Sequence, residues 1–146
     1  MARLPSDSPS APETLIACVD ANVFLSAIAF DGLPERVIDS LLAGEFAHVT
    51  GENILAEVRR NAIGKLKLAA AQVDATLNDI RAASSIYVPT GRTTYIPHPQ
   101  DNAVLEIAFA GSCNVLVTGD RKHLLPLSPF RGLILEPPSA FLDRLR

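Results

Sequence analysis

Cysteine is scarce in this chain, with two residues in 146. Cys18 and Cys113 both sit inside apolar stretches, LIACV and GSCNVLV. That count and placement argue against a disulfide scaffold and against a cysteine metal site, and they fit a reducing cytoplasm. Long apolar runs are missing as well. None approaches the ~18 residues that a membrane helix needs, which excludes a helical integral membrane protein. The opening MARLPSDSPSAPET has no apolar segment of the kind a secretory signal carries. Rich in proline and serine, residues 1–14 are expected to form a flexible leader ahead of one domain at 15–146. Positive charge is also in short supply: 13 Lys and Arg face 16 Asp and Glu, a net charge of −3. A field of that sign repels phosphate, so a nucleic-acid partner would need a local basic patch or bound metal ions. Core-forming residues, by contrast, are plentiful, with 48% hydrophobic against 20% charged.

Apolar runs of strand length alternate with segments of helical period. Residues 15–19 form a short, wholly apolar run that stops at Asp20, the pattern of a buried strand. Over 34–44, Val37, Ile38, Leu41 and Leu42 share one helical face, with Pro34 suited to the first turn and Gly44 to the end. Residues 46–49 read as a second strand. Thr50 is expected to cap a helix whose apolar stripe is Ile54, Leu55, Val58 and Ala62. After Gly64 a further helix is expected over 65–83, then a strand at 85–88 and a proline-bearing loop, PTGRTTYIPHPQ. Asp101 is expected to cap a helix that runs to Ala110 and ends at Gly111. Strands at 115–117 and 132–135 and a helix over 138–145 complete the chain. This alternation predicts an α/β fold, a three-layer sandwich around a central, mostly parallel sheet. Ligands of such sheets gather at the carboxyl ends of the strands. Asp20 and Asp120 each follow a strand, so both are expected on one rim.

Four acids are candidates for chemistry: Asp20, Glu57, Asp101 and Asp120. Each also has an ordinary structural reading. Asp20 and Asp101 could be helix caps, Asp120 a turn residue after Gly119, and Glu57 a solvated edge paired with Arg60 or Asn61. Taken together they are harder to dismiss. A carboxylate between two apolar segments, as Asp20 is, is costly unless paired, hydrogen-bonded or bound to a metal. Four clustered carboxylates repel one another, and a hard divalent cation such as Mg²⁺ or Mn²⁺ removes that conflict.

The segments around these acids form a recognisable series. VDANVFLSAI (19–28) resembles the opening motif of PIN-domain nucleases, and ILAEVRR (54–60) is similar to their second segment. DNAVLEIA (101–108) looks like the third, and LVTGDRKHLL (116–125) like the fourth. The resemblance covers roughly 15–142, and its closest flavour is the VapC-like toxin component of toxin–antitoxin pairs. It implies a metal-dependent ribonuclease, with metal-binding catalytic acids at Asp20, Glu57, Asp101 and Asp120 and polar supports at Asn22 and Thr118. A Mg²⁺ or Mn²⁺ ion held there would lower the pKa of a bound water and neutralise charge on the phosphate during phosphodiester hydrolysis. One departure stands out: His98 occupies the place of an accessory acid found in relatives.

Arg121 and Lys122, beside Asp120, and Arg92, in the long loop, are the cations expected to meet an RNA substrate. Arg59, Arg60, Lys65 and Lys67 read as a solvated face, and the histidines are too scattered in sequence for a zinc site. No residue has the partners of a covalent nucleophile. Two competing readings are a catalytically weak PIN-like module that binds RNA or a partner, and a phosphatase using Asp20 as nucleophile. The second acid that such a phosphatase usually wants is absent, because position 22 is Asn. The resemblance further implies an antitoxin partner. With the smooth alanine run at 69–71, it also implies a homodimer paired through the helices at 34–44 and 65–83, whose shared groove would gather basic side chains from both copies.

Overall fold

The computed structural model describes residues 14–146. The leader expected over 1–14 therefore lies outside the described residues, apart from Thr14. Five parallel strands form one sheet in the order β3-β2-β1-β4-β5. They are β1 (Ile16–Val19), β2 (Ala47–Thr50), β3 (Ser84–Ile86), β4 (Val115–Val117) and β5 (Ile134–Glu136). Helices α1 (Ala21–Ala29) and α2 (Leu33–Leu42) connect β1 to β2, and α3 (Glu52–Gly64) and α4 (Ala70–Ala82) connect β2 to β3. The chain then crosses back over two strands through α5 (Pro99–Ala110) to β4, and α6 (Pro138–Arg144) closes it. Right-handed crossovers send α1–α4 to one face and α5 to the other. In agreement, α1 packs on α2 and α3, α4 packs on α3, and α5 lies against β1 and β2. This is the predicted three-layer α/β sandwich, with a sheet that is parallel throughout.

The central strands are apolar along their length because helices cover both sides. Ala17, Cys18, Val19, Val115, Leu116 and Val117 are completely buried. The reversal in strand order falls between β1 and β4, and the crevice at such a switch point is where open α/β sheets bind ligands. Asp20 leaves β1 at that point, its N–H donating to the Val117 carbonyl of β4 at 2.9 Å.

Several boundaries differ from expectation. Residues 21–29, an apolar stretch for which the sequence offered Asp20 as a possible cap, form a helix of their own, α1. Gly51, not Thr50, is the N-cap of α3, and Thr50 ends β2 with its hydroxyl buried and unpaired. Helix α5 starts at Pro99 with His98 as its N-cap, so Asp101 lies within the first turn instead of capping it. Proline suits that start, since its fixed φ is helical and it has no N–H to leave unsatisfied. The helix expected over 65–83 begins only at Ala70, after a turn in which Lys67 adopts a φ of 59°.

Candidate active site

Asp20 is buried, 7% exposed, at the head of α1. One carboxylate oxygen accepts the Ala21 N–H at 2.8 Å, so its capping reading holds. The other accepts the Thr118 hydroxyl at 2.8 Å and the Asn22 amide at 3.2 Å. Thr118 also accepts the Asp120 N–H at 3.0 Å, and the Asn22 carbonyl oxygen accepts the Gly119 N–H at 3.1 Å. The end of β4 is thereby sewn to the start of α1 through two side chains that both touch Asp20.

Burial pushes the Asp20 carboxyl up to about 6, and the neighbouring charges of Asp101 and Glu57 push the same way. The bonds from Thr118 and Ala21 oppose this without cancelling it. The charges of Asp101 and Glu57 therefore both reach Asp20.

Asp120 behaves both as a turn residue and as a rim acid. One oxygen accepts the N–H groups of Lys122 and His123 at 2.9 and 3.1 Å. The other lies 3.8 Å from the His123 Nδ1. That same nitrogen is 3.1 Å from Asp101. Asp101, Asp120 and His123 each offer a ligand atom within 4.8 Å of the others, all half-buried. Hydrogen-bonded carboxylates and an imidazole at this separation are a donor set suited to a divalent ion such as Mg²⁺ or Mn²⁺.

Two of the histidines that are scattered in sequence come together here. His98 and His123 lie 25 positions apart, yet their rings stack with centroids 3.6 Å apart at 21°. The N-cap histidine of α5 therefore packs against the histidine that meets Asp101 and Asp120.

Glu57 stands farther out on α3. Among the described residues it forms no ion pair; the cation that does pair nearby is Arg59, which grips Asp74 at 2.7 and 3.2 Å. Glu57 instead lines a cleft of about 530 Å³ together with Arg60, Asn61, Gly64, Lys65 and Gln100. Arg121 and Lys122 are exposed beside Asp120, and Arg92 is exposed on the long loop.

That loop is held by α5. The Asn102 side chain accepts the N–H groups of Tyr95 and Ile96 at 2.6 and 3.3 Å and donates to the Thr93 carbonyl at 2.9 Å. Glu106 accepts from Thr90 Oγ1 at 2.9 Å and the Gly91 N–H at 3.0 Å. The helix that carries Asp101 toward the rim thus also fixes the segment leading to His98. The buried polar Asn102 inside an apolar helix was the available signal for this role.

The sequence matches the family model of the PIN domain over residues 17–122. No curated protein matches it. Among solved structures it is similar to the crystal structure of VapBC2 from Rickettsia felis bound to a DNA fragment from their promoter. The two share 18% identity and a TM-score of 0.59, over 84% of this chain and 98% of that one. At that identity the likeness is one of fold.

Proposed function

The chain belongs to the PIN-domain family, and with that as premise we propose that it is a Mg²⁺- or Mn²⁺-dependent endoribonuclease, a hydrolase of RNA phosphodiester bonds formed by the domain at 15–146. The observation that carries this reading is the crowding of acids at the sheet's switch point, where the Asp20 carboxyl is raised to about 6 by burial and by Asp101 and Glu57. In this reading Asp20, Glu57, Asp101 and Asp120 are the metal-binding and catalytic acids. An ion held by them would neutralise phosphate charge and acidify a bound water.

The remaining residues orient and hold. Thr118 and Asn22 fix the rotamer of Asp20 through their hydrogen bonds, so its carboxylate faces the rim without reorganising. Arg121, Lys122 and Arg92 supply positive charge to RNA phosphates at the same rim. The likeness in fold to VapBC2 supports a role as the toxin of a type II toxin–antitoxin pair, with an antitoxin partner. Two free cysteines and the lack of any helix long and apolar enough to cross a membrane, among the described residues, agree with a cytoplasmic toxin. We further propose a homodimer.

The test is cleavage of an end-labelled RNA with Mn²⁺, with Mg²⁺ and with excess chelator. Cleavage should require the ion, and Asp20→Asn should lower its rate by roughly a hundredfold or more while the protein stays folded. An Asp20→Asn protein that cuts as fast as the parent at saturating Mn²⁺ would overturn the metal-ligand role. A parent that binds RNA and never cuts it would instead be a binding module.

A further inference from the structure

We propose that the side of α3 flanking its buried stripe, together with the first turn of α5, forms a subsite for one unpaired nucleotide of the RNA beside the scissile phosphate. The proposal rests on the ribonuclease reading and adds where and how the chain is gripped. Ile54, Leu55, Val58 and Ala62 turn into the core. Asn53, Glu57, Arg60, Asn61 and Gly64 follow the helical repeat along the outward side. Two clefts open along this stripe and meet at Glu57, Arg60 and Gln100.

The clefts differ in chemistry. The one of about 530 Å³ is cationic, with Arg60 and Lys65 at its wall, Asn61 and Gln100 as amides and Gly64 presenting bare backbone. Among the described residues neither Arg60 nor Lys65 has an ion-pair partner, whereas the adjacent Arg59 is committed to Asp74. The second, about 370 Å³, has an apolar floor of Ala56, Pro99 and Ala103 with the Asn53 and Gln100 amides at its edge. Both volumes fall in the ~300–1,000 Å³ range that small ligands occupy.

Free cations beside an apolar slot edged by amides match the parts of a nucleotide. Phosphate goes to Arg60 and Lys65, since backbone charge is what cations recognise without regard to sequence. The base lies on Ala56, Pro99 and Ala103, and its polar edge meets Asn53 and Gln100, each of which both donates and accepts. Only an unstacked base can enter such a slot, so the preferred RNA is single-stranded. Glu57 borders both clefts and is one of the proposed catalytic acids, which places the reacting phosphate next to the nucleotide held here. The sequence alone made 59–67 a solvated basic face; the structure divides it, pairing Arg59 away and turning Arg60 and Lys65 into a cleft.

The experiment is fluorescence anisotropy of a labelled single-stranded RNA in excess chelator across a salt series, so that binding is read without cleavage. The double variant Arg60→Ala/Lys65→Ala should bind roughly tenfold or more weakly at low salt. It should also flatten the slope of log affinity against log salt by about 0.7, the share of one phosphate on a single strand. Arg59→Ala should leave both unchanged. Asn53→Ala and Gln100→Ala should reorder the preference among poly(A), poly(C) and poly(U) while keeping the salt slope. A double variant that binds like the parent, or a parent that binds no single-stranded RNA, overturns the subsite. The ribonuclease reading is decided separately by metal-dependent cleavage, so a parent that cuts RNA with an unaltered KM in the double variant keeps that reading and loses this one.

Discussion

Asp20 is supported by three donors and repelled by two carboxylates, so its charge is a cost to the metal-free fold. Its carboxyl stands at about 6 in the folded chain against an ordinary 3.8, chiefly through burial. The folded state therefore holds its proton more tightly than the unfolded state. Metal-free stability from this group should fall as pH rises from about 4 to 6, with the full cost, roughly 3 kcal/mol for two pKa units, present above 6. His48 acts in the opposite sense. Ser84 donates its one proton to the Ile80 carbonyl, so His48 must donate its Nδ1–H to the Ser84 oxygen, which leaves a buried Nε2 with no partner. Burial holds that ring down to about 3, so its contribution is present above 6.5 and lost as pH falls toward 3. The two are separated by substitution. In chelator at pH 7.5, Asp20→Asn should raise the urea midpoint by an amount equivalent to about 1–3 kcal/mol, and at pH 4 the gain should shrink toward zero. No gain at pH 7.5 would mean that Asp20 is not strained in the metal-free protein. His123 makes a separate prediction. A nitrogen donor beside two carboxylates favours Mn²⁺ over Mg²⁺, because imidazole suits transition ions better than the harder Mg²⁺. Calorimetric titration should show His123→Ala losing roughly tenfold in Mn²⁺ affinity and little in Mg²⁺ affinity. Equal losses for both ions would assign His123 to orienting Asp101 alone.

At the scale of elements, the readable features were those set by local pattern, and the hidden ones were set by contacts across the chain. Strand β4 was placed residue for residue at 115–117 because three buried apolar residues end at a Thr-Gly-Asp turn. The acids after β1 and β4 were placed on one rim by the parallel order alone. Helix α1 was legible only through its cap at Asp20, because ANVFLSAIA is nearly all apolar and a helix buried on most sides has no polar face to show its period. The stacking of His98 on His123 could not be read, since it has no spacing rule. Gly111 is a third case. Sequence marks it as a helix end, but its φ of −86° is open to any residue. Its constraint is space: a Cβ there would meet the Val49 methyl groups at 2.5 and 2.8 Å, where the end of α5 descends onto β2. Gly111→Ala should therefore destabilise the protein by about 1–3 kcal/mol through overpacking, measured by denaturant unfolding. Gly44→Ala has open space around it but a φ of 75°, so any cost there should come from backbone strain, about 1 kcal/mol. A Gly111→Ala protein as stable as the parent would show that Val49 yields freely.

The molecule as a whole carries a charge of −3 and a surface that its own helices do not finish covering. Phe30 is 68% exposed, and Leu33 and Leu42 at the two ends of α2 are 42% and 45% exposed. Ala69, Ala70 and Ala71, which begin α4, are all exposed and allow another helix to approach closely. Between α1, α2 and α4 lies a cavity of about 550 Å³ whose apolar walls include Ile28, Leu42 and Leu68. Apolar atoms are common on any protein surface. Here, however, several of them lie on or beside the two helices that the sequence offered as a pairing face. A second copy seated on α2 and α4 would bury the leucines against the alanine run. It would also set two acid rims on one particle, each with its own Arg60, Lys65, Arg121 and Lys122 toward RNA. Light scattering at micromolar concentration should therefore report twice the monomer mass, and Leu42→Glu or Ala70→Glu should return the monomer by placing a carboxylate in the pairing face. Because these positions lie away from the acids, the monomeric variants should keep their Mn²⁺ affinity while binding a long RNA more weakly than the parent, through loss of the second grip. A parent of monomer mass that still cuts RNA would show that pairing is neither present nor required, and that each rim works alone.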